Sequence, residues 1–194
     1  MKNSFLVVLL LCVFTSIKAT PVSFHQQKDY NIKDYGAVGD GRTDDAKAID
    51  ACNAAGGGQV VIPSGFMFLS GPFNLKSNIE FYVEVNARIL ANPDEKVYVK
   101  SAFRENKGEG TIWIGGENLE NVTICGGGII DGNGTSFMGK ELADSYELKP
   151  FNIIDSRPHL LTIVGGKNIR IKDFTIKNFG LLDGAFNWLQ RCGD

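Results

Sequence analysis

One stretch limits the folds open to this chain more than any other. Asp34-Tyr35-Gly36-Ala37-Val38-Gly39-Asp40-Gly41 makes a glycine-rich turn, and residues up to Gly65 then give one short helix followed by one strand. What comes after Gly65 is almost entirely strand and turn. The helix is predicted from Thr43 as N-cap, Asp44 and Asp45 in the first turn, where carboxylates complement the helix dipole, and Ala46, Ile49 and Cys52 at helical spacing. Gly56-Gly57-Gly58 ends it, and the β-branched run Gln59-Val60-Val61-Ile62 stops at Pro63, as a short buried strand does.

A phrase recurs downstream. Asn78-Ile79-Glu80-Phe81, Asn121-Val122-Thr123-Ile124 and Asn168-Ile169-Arg170-Ile171 each place an Asn before alternating apolar residues, at spacings of 43 and 47. Each spacing is about twice a solenoid coil of twenty-odd residues, so an intermediate strand is predicted between each pair, with Leu160 to Val164 as one candidate. In such a coil aliphatic side chains fill the inside, and a corner Asn satisfies turn backbone. Two charged stretches interrupt the phrase, Asn92 to Gly110 and Thr135 to Ser156. Insertions of this sort leave a solenoid as loops over one face, and their aromatics Tyr98, Phe103, Phe137 and Tyr146 are expected to pin the loops.

Met1 to Ala19 reads as a secretory signal, with Lys2 in front, an apolar run from Phe5 to Phe14 and a cut after Ala19. The run is too short to span a bilayer, and residues 20–194 are expected to form one domain. Lys and Arg number 20 against 22 Asp and Glu, a net charge of −2 scattered along the chain, which gives no nucleic-acid footprint and no polybasic membrane surface. Cys12 leaves with the signal, so Cys52, Cys125 and Cys192 remain as an odd set; Cys52, on the apolar helix face, is expected to be packed. His25 and His159 are the only histidines, which excludes a His-rich metal site and argues against a Ser-His-Asp constellation. No acidic cluster has the spacing of a calcium loop, and no cofactor is expected. Asn121-Val122-Thr123 and Asn133-Gly134-Thr135 are N-glycosylation sequons, making Asn121 and Asn133 the candidate modification sites.

The opening segment, Leu69-Ser70-Gly71-Pro72, Leu75-Lys76-Ser77-Asn78, Ile129-Ile130-Asp131-Gly132-Asn133-Gly134 and Arg157-Pro158-His159-Leu160-Leu161 occur in an order that resembles the N-terminal half of a polygalacturonase-type glycoside hydrolase, glycoside hydrolase family 28 of the pectin lyase-like superfamily. The resemblance implies an all-β fold, a right-handed parallel β-helix with one short N-terminal capping helix and its C-terminal coils missing. It also implies a pectin or polygalacturonate partner and inverting hydrolysis of α-1,4-galacturonan, in which an acid and a base stand roughly 6.5–9.5 Å apart with a water between. The family carries those acids in an Asn-Thr-Asp phrase and an Asp-Asp pair, beside Gly-His-Gly and Arg-Ile-Lys, in later coils. Here Asn-Thr-Asp and Gly-His-Gly do not occur. Asp44-Asp45 belongs to the helix start, and Arg170-Ile171-Lys172 falls in the repeated strand, where its basic residues should face solvent. No catalytic residue is therefore assigned. The chain is expected to be a fragment or a short form, monomeric if complete and without turnover. A non-catalytic carbohydrate-binding β-helix and a structural β-helix of the tail-spike or adhesin kind are the other readings.

Overall fold

A computed structural model describes residues 28–99, 111–137 and 157–178. Short strands follow one another around a coil, and each pairs in parallel with the strand one coil away. β1 (Asp29–Asn31) and β2 (Asp40–Asp44) flank a 3-10 turn, Ile32–Tyr35, and precede the helix α1 (Ala46–Ala54). The next coil runs β3 (Gly58–Ile62), β4 (Met67–Ser70) and β5 (Phe73–Asn74); the one after, β6 (Ile79–Val83), β7 (Arg88–Ala91) and β8 (Ile112–Glu117). β9 (Glu120–Cys125), β10 (Ile129–Asp131) and β11 (His159–Val164) form another, and β12 (Lys167–Ile171) and β13 (Thr175–Lys177) begin the last described one. Among the described residues three sheets result, in the orders β1-β3-β6-β9-β12, β2-β4-β7-β10-β13 and β5-β8-β11. This is the expected right-handed parallel β-helix.

The core consists of side chains stacked in register along the coil axis. Tyr30, Val60, Phe81, Ile124 and Ile171 align in the first sheet; Phe68, Ile89, Ile130 and Ile176 in the second; Phe73, Ile114 and Leu161 in the third. Phe73 lies against Phe81 with ring centroids 5.6 Å apart and meets the edge of Trp113 at 6.3 Å. Fully burying such a side chain contributes about 1.5–3 kcal/mol, so these columns supply most of the drive for stacking. α1 closes the β1 end. Its Ala48, Ile49 and Cys52 are buried there, and the Cys52 thiol donates to the Tyr30 carbonyl at 3.0 Å.

The helix starts later than its sequence suggests. Thr43 and Asp44 still belong to β2, because Asp44 pairs with Leu69 and the Asp45 N–H donates to the Leu69 carbonyl at 2.8 Å. Thr43 instead donates its hydroxyl to Asp40 at 3.0 Å, Asp45 occupies the N-cap, and the side chain that caps is Asp44, whose Oδ1 accepts from the Ala46 N–H at 2.9 Å. Sheet pairing thus overrides the local capping preference, and both acids precede the first turn.

The repeat also differs from expectation. Gln59 and Glu80 are 21 residues apart on neighbouring coils, yet Asn78 and Asn121, 43 apart, and Asn121 and Asn168, 47 apart, are neighbours too. Each long spacing is therefore one coil and an insertion, not two coils. The insertions leave between β7 and β8 and between β10 and β11; Leu160 to Val164 is a strand as expected, but as β11 it is the third-sheet strand of the β9 coil and not a coil of its own.

The three Asn residues of the repeated phrase share a left-handed backbone, with φ of 62°, 56° and 55°. Their amides form a ladder: Asn121 Nδ2 donates to Asn78 Oδ1 at 2.9 Å, and Asn168 Nδ2 to Asn121 Oδ1 at 2.8 Å. Asn tolerates this conformation better than other residues with a Cβ, so the phrase is a corner that recurs once per coil.

Candidate functional site: a polar corner beneath two insertions

At the C-terminal ends of the second sheet, polar residues replace the apolar column. Asp44 ends β2, Ser70 ends β4, Asn92 follows β7, Asp131 ends β10 and Asn178 follows β13. Asp44 Oδ2 accepts from the Gly71 N–H at 3.0 Å and from Asn92 Nδ2 at 2.7 Å, and the buried Ser70 hydroxyl donates to the Gly71 carbonyl at 2.7 Å. Asn133, with φ of 52°, donates Nδ2 to the Ala91 carbonyl at 2.9 Å. These bonds cross from one coil to the next, reach over the β4 coil as Asn92 does to Asp44, or close a turn.

Asp131 is the centre of this corner. Strand alternation turns it away from the core, because its neighbour Ile130 lies in the inward column, yet its side chain is fully buried. Arg88 pairs with its Oδ2 through both Nε and a terminal guanidinium nitrogen. The Asn133 N–H donates to Oδ1 at 2.8 Å, and Asn178 Nδ2 approaches the two oxygens at 3.2 and 3.3 Å. One carboxylate therefore joins three successive coils. A buried charge is tolerated only when paired and hydrogen-bonded, and here both conditions are met.

Both insertions leave from this corner. Their first turns, the 3-10 segments Glu95–Val99 and Gly134–Phe137, touch through Tyr98 and Phe137, whose rings are 6.1 Å apart. Both side chains are buried, so these two aromatics pin the loop bases, as predicted; Phe103 and Tyr146 lie outside the described residues. Burial, and then the charge of Asp44, push the Tyr98 hydroxyl well above its usual range. It stays a neutral phenol. Lys96 and Lys177 are exposed at the same end of the sheet.

Three acids of the described residues, Asp44, Asp45 and Asp131, are occupied by the fold. Asp45 takes the Val38 N–H on Oδ1 at 2.7 Å and the Gly39 N–H on Oδ2 at 3.1 Å; burial raises its pKa against those two bonds. Asp131 and Asp44 are filled as described. Asp173 is an exposed corner residue 3.7 Å from Lys172, and Asp155 and Asp183 lie outside the described residues. Among the described residues no group of His, Cys, Asp and Glu could hold a metal ion. Likewise, no helix among them is long and apolar enough to cross a membrane.

The remaining sequence candidates fall as follows. Arg170 and Lys172 are exposed, as expected of the Arg-Ile-Lys match, and His159 is an exposed residue opening β11. Cys52 and Cys125 are free and buried, and burial pushes the Cys52 thiol up to about 12. His25, Cys12 and Cys192 lie outside the described residues. Of the two sequons, Asn121 is a rung of the ladder and Asn133 a half-buried corner residue, each with its amide nitrogen already donating.

Sequence reading missed Arg88, Asn92 and Asn178. A signal for two of them existed: Arg88 precedes Asp131 by 43 residues and Asn178 follows it by 47, the same steps that separate the three ladder asparagines. Carried over to Asp131, the repeat would have found both.

Known proteins share this construction. A polygalacturonase of Persea americana is 30% identical over 173 residues, covering 84% of this chain and 34% of that protein. Alginate lyase 7 of Azotobacter vinelandii is 33% identical over 174 residues, covering 75% of this chain and 19% of that one. An exopolygalacturonase from Thermotoga maritima superposes with a TM-score of 0.60 at 25% identity, over 78% of this chain and 42% of that one. The chain thus spans about a third or less of the length of these two curated relatives. Residues 52–182, from α1 through the last described coil, match Glycosyl hydrolases family 28, and the chain belongs to that family.

Proposed function

We propose that these residues form the leading coils of a secreted hydrolase that cuts α-1,4-linked galacturonan with inversion, and that the polar corner with its two insertions makes one wall of the sugar groove. The observation that carries this reading is the Asp131 corner: in a chain of family 28, the described first turns of two charged insertions meet beside it through Tyr98 and Phe137. Galacturonan bears a carboxylate on every sugar, which Lys96 and Lys177 would meet at the groove edge. Export through the segment 1–19, and glycans at Asn121 or Asn133 in a eukaryotic host, belong to the same proposal.

An inverting mechanism needs one acid and one base, and Asp44, Asp45 and Asp131 are committed to the fold. The proposal therefore includes that this chain binds galacturonan without cutting it. The similarity to an alginate lyase supports a second reading, in which the groove takes a different acidic polysaccharide. Affinity electrophoresis of the whole chain separates the two. Retardation in gels containing polygalacturonate, and not in gels containing alginate or a neutral galactan, is expected. Retardation by alginate alone would overturn the substrate assignment.

A further inference from the structure

The corner ladder separates the two sequons. Asn121 Oδ1 accepts from Asn168 Nδ2 of the following coil at 2.8 Å, while Asn121 Nδ2 donates to Asn78 Oδ1 of the preceding coil at 2.9 Å. The carbonyl and the donating N–H therefore point in opposite directions along the stack. In a planar amide only the N–H anti to the oxygen runs opposite to the C=O, so that hydrogen makes the ladder bond. The other hydrogen points away from Cβ and has no acceptor among the described residues, on a residue that is exposed. Asn133 is held differently. Its Nδ2 reaches the Ala91 carbonyl at 2.9 Å, its Oδ1 accepts from the Ser136 hydroxyl of its own turn at 2.6 Å, and the residue is half-buried.

We propose that Asn121, and not Asn133, is the N-glycan acceptor of this chain, and that Asn121 keeps both ladder bonds when it carries the sugar. The glycosyl donor is an oligosaccharide on a lipid diphosphate: the Nδ2–C1 bond forms, the bond from C1 to the phosphate oxygen breaks, Nδ2 loses one proton and the lipid diphosphate leaves. The product is a secondary amide, which takes the trans form. In that form C1 stands anti to Cβ, in the place of the unused hydrogen, and the N–H anti to the oxygen stays on Asn78 Oδ1. The sugar emerges beside the corner from β8 to β9, between the third and first sheets, whereas both insertions leave between the second and third. The proposed groove thus stays open. The assignment rests on the export through residues 1–19 proposed above.

The test expresses the whole chain in a eukaryotic secretory host, once with residues 1–19 as they stand and once with a host signal in their place, and maps glycans by peptide mass spectrometry. A glycan on Asn121 and none on Asn133 is expected from both. Modification of Asn121 behind the host signal alone would remove the export reading and leave the assignment standing. An unmodified Asn121 behind both signals, or a glycan on Asn133, overturns the assignment. The retained ladder is read by urea denaturation of the glycosylated chain after two treatments. An endoglycosidase that leaves one sugar keeps the secondary amide and should leave the unfolding equilibrium where it was. An amidase that releases the whole glycan makes the change Asn121→Asp, which removes the N–H and sets a carboxylate against Asn78 Oδ1. Unfolding should then be favoured about fivefold, the value of one hydrogen bond. Equal stability of the two products, or a loss already present with one sugar, overturns the claim that the glycosylated amide keeps its bonds.

Discussion

Asp131 shows how much one side chain can hold. Replacing it by Asn leaves the shape but removes the charge that Arg88 was placed to meet. Breaking a fully buried ion pair costs about 3–5 kcal/mol. Arg88 is 35% exposed and recovers some hydration, so Asp131→Asn should destabilise the chain by about 3 kcal/mol, at the low end of that range, measured by urea denaturation. The double replacement Arg88→Leu with Asp131→Leu should cost less than the single change, since no uncompensated charge remains. The two buried cysteines behave in the opposite way, as inert groups. Burial raises both thiols, Cys52 to about 12 against 9.0 for an exposed one. Because the folded state holds the Cys52 proton more tightly, its contribution to stability is complete below pH 9.0 and is lost as pH rises from there towards about 12. At pH 8, iodoacetamide should label neither Cys52 nor Cys125 in the native chain and both after denaturation, read by peptide mass spectrometry.

At the scale of elements, the repeated Asn phrase is the most informative case. Asn121 does two things: it adopts a left-handed backbone and it bonds the corners above and below. Asn121→Gly removes only the bonds, whereas Asn121→Ala also places a Cβ in a conformation that costs about 1–2 kcal/mol. The alanine variant should therefore be less stable than the glycine variant by about 1 kcal/mol, again by urea denaturation. The phrase itself was readable in the sequence, and so were α1, β3, and the strands that follow Asn78, Asn121 and Asn168. The helix start was not, because Thr43 and Asp44 satisfy a capping preference that a neighbouring strand overrides. Nor was the true coil length, since spacing alone cannot tell two short coils from one coil carrying an insertion. The pairing of Arg88 with Asp131 needed the register, which only the stacked fold makes explicit.

At the scale of the whole molecule, a parallel β-helix follows from the phrases at Asp34, Leu69, Asp131 and Arg157, because their order matches a family whose coils are built on them. The columns of Phe, Ile and Val then explain why the stack holds, and the corner at Asp131 ties three successive coils at the end of the second sheet. That the family's Asn-Thr-Asp and Gly-His-Gly phrases do not occur was legible in the sequence; the structure adds that the acids at 44, 45 and 131 have other work. General acid–base assistance contributes about 10²–10⁴-fold per group, so the proposed lack of both groups predicts no galacturonan cleavage by this chain. A binding calorimetry titration of the whole chain with an oligogalacturonide of defined length, followed by a reducing-end assay on the same sample, tests the account most directly. Saturable binding that weakens with added salt, with no new reducing ends, is the predicted result. Absence of binding would contradict the groove, and release of reducing ends would show that an acid assigned here to the fold, or Asp155, Asp173 or Asp183, performs the chemistry.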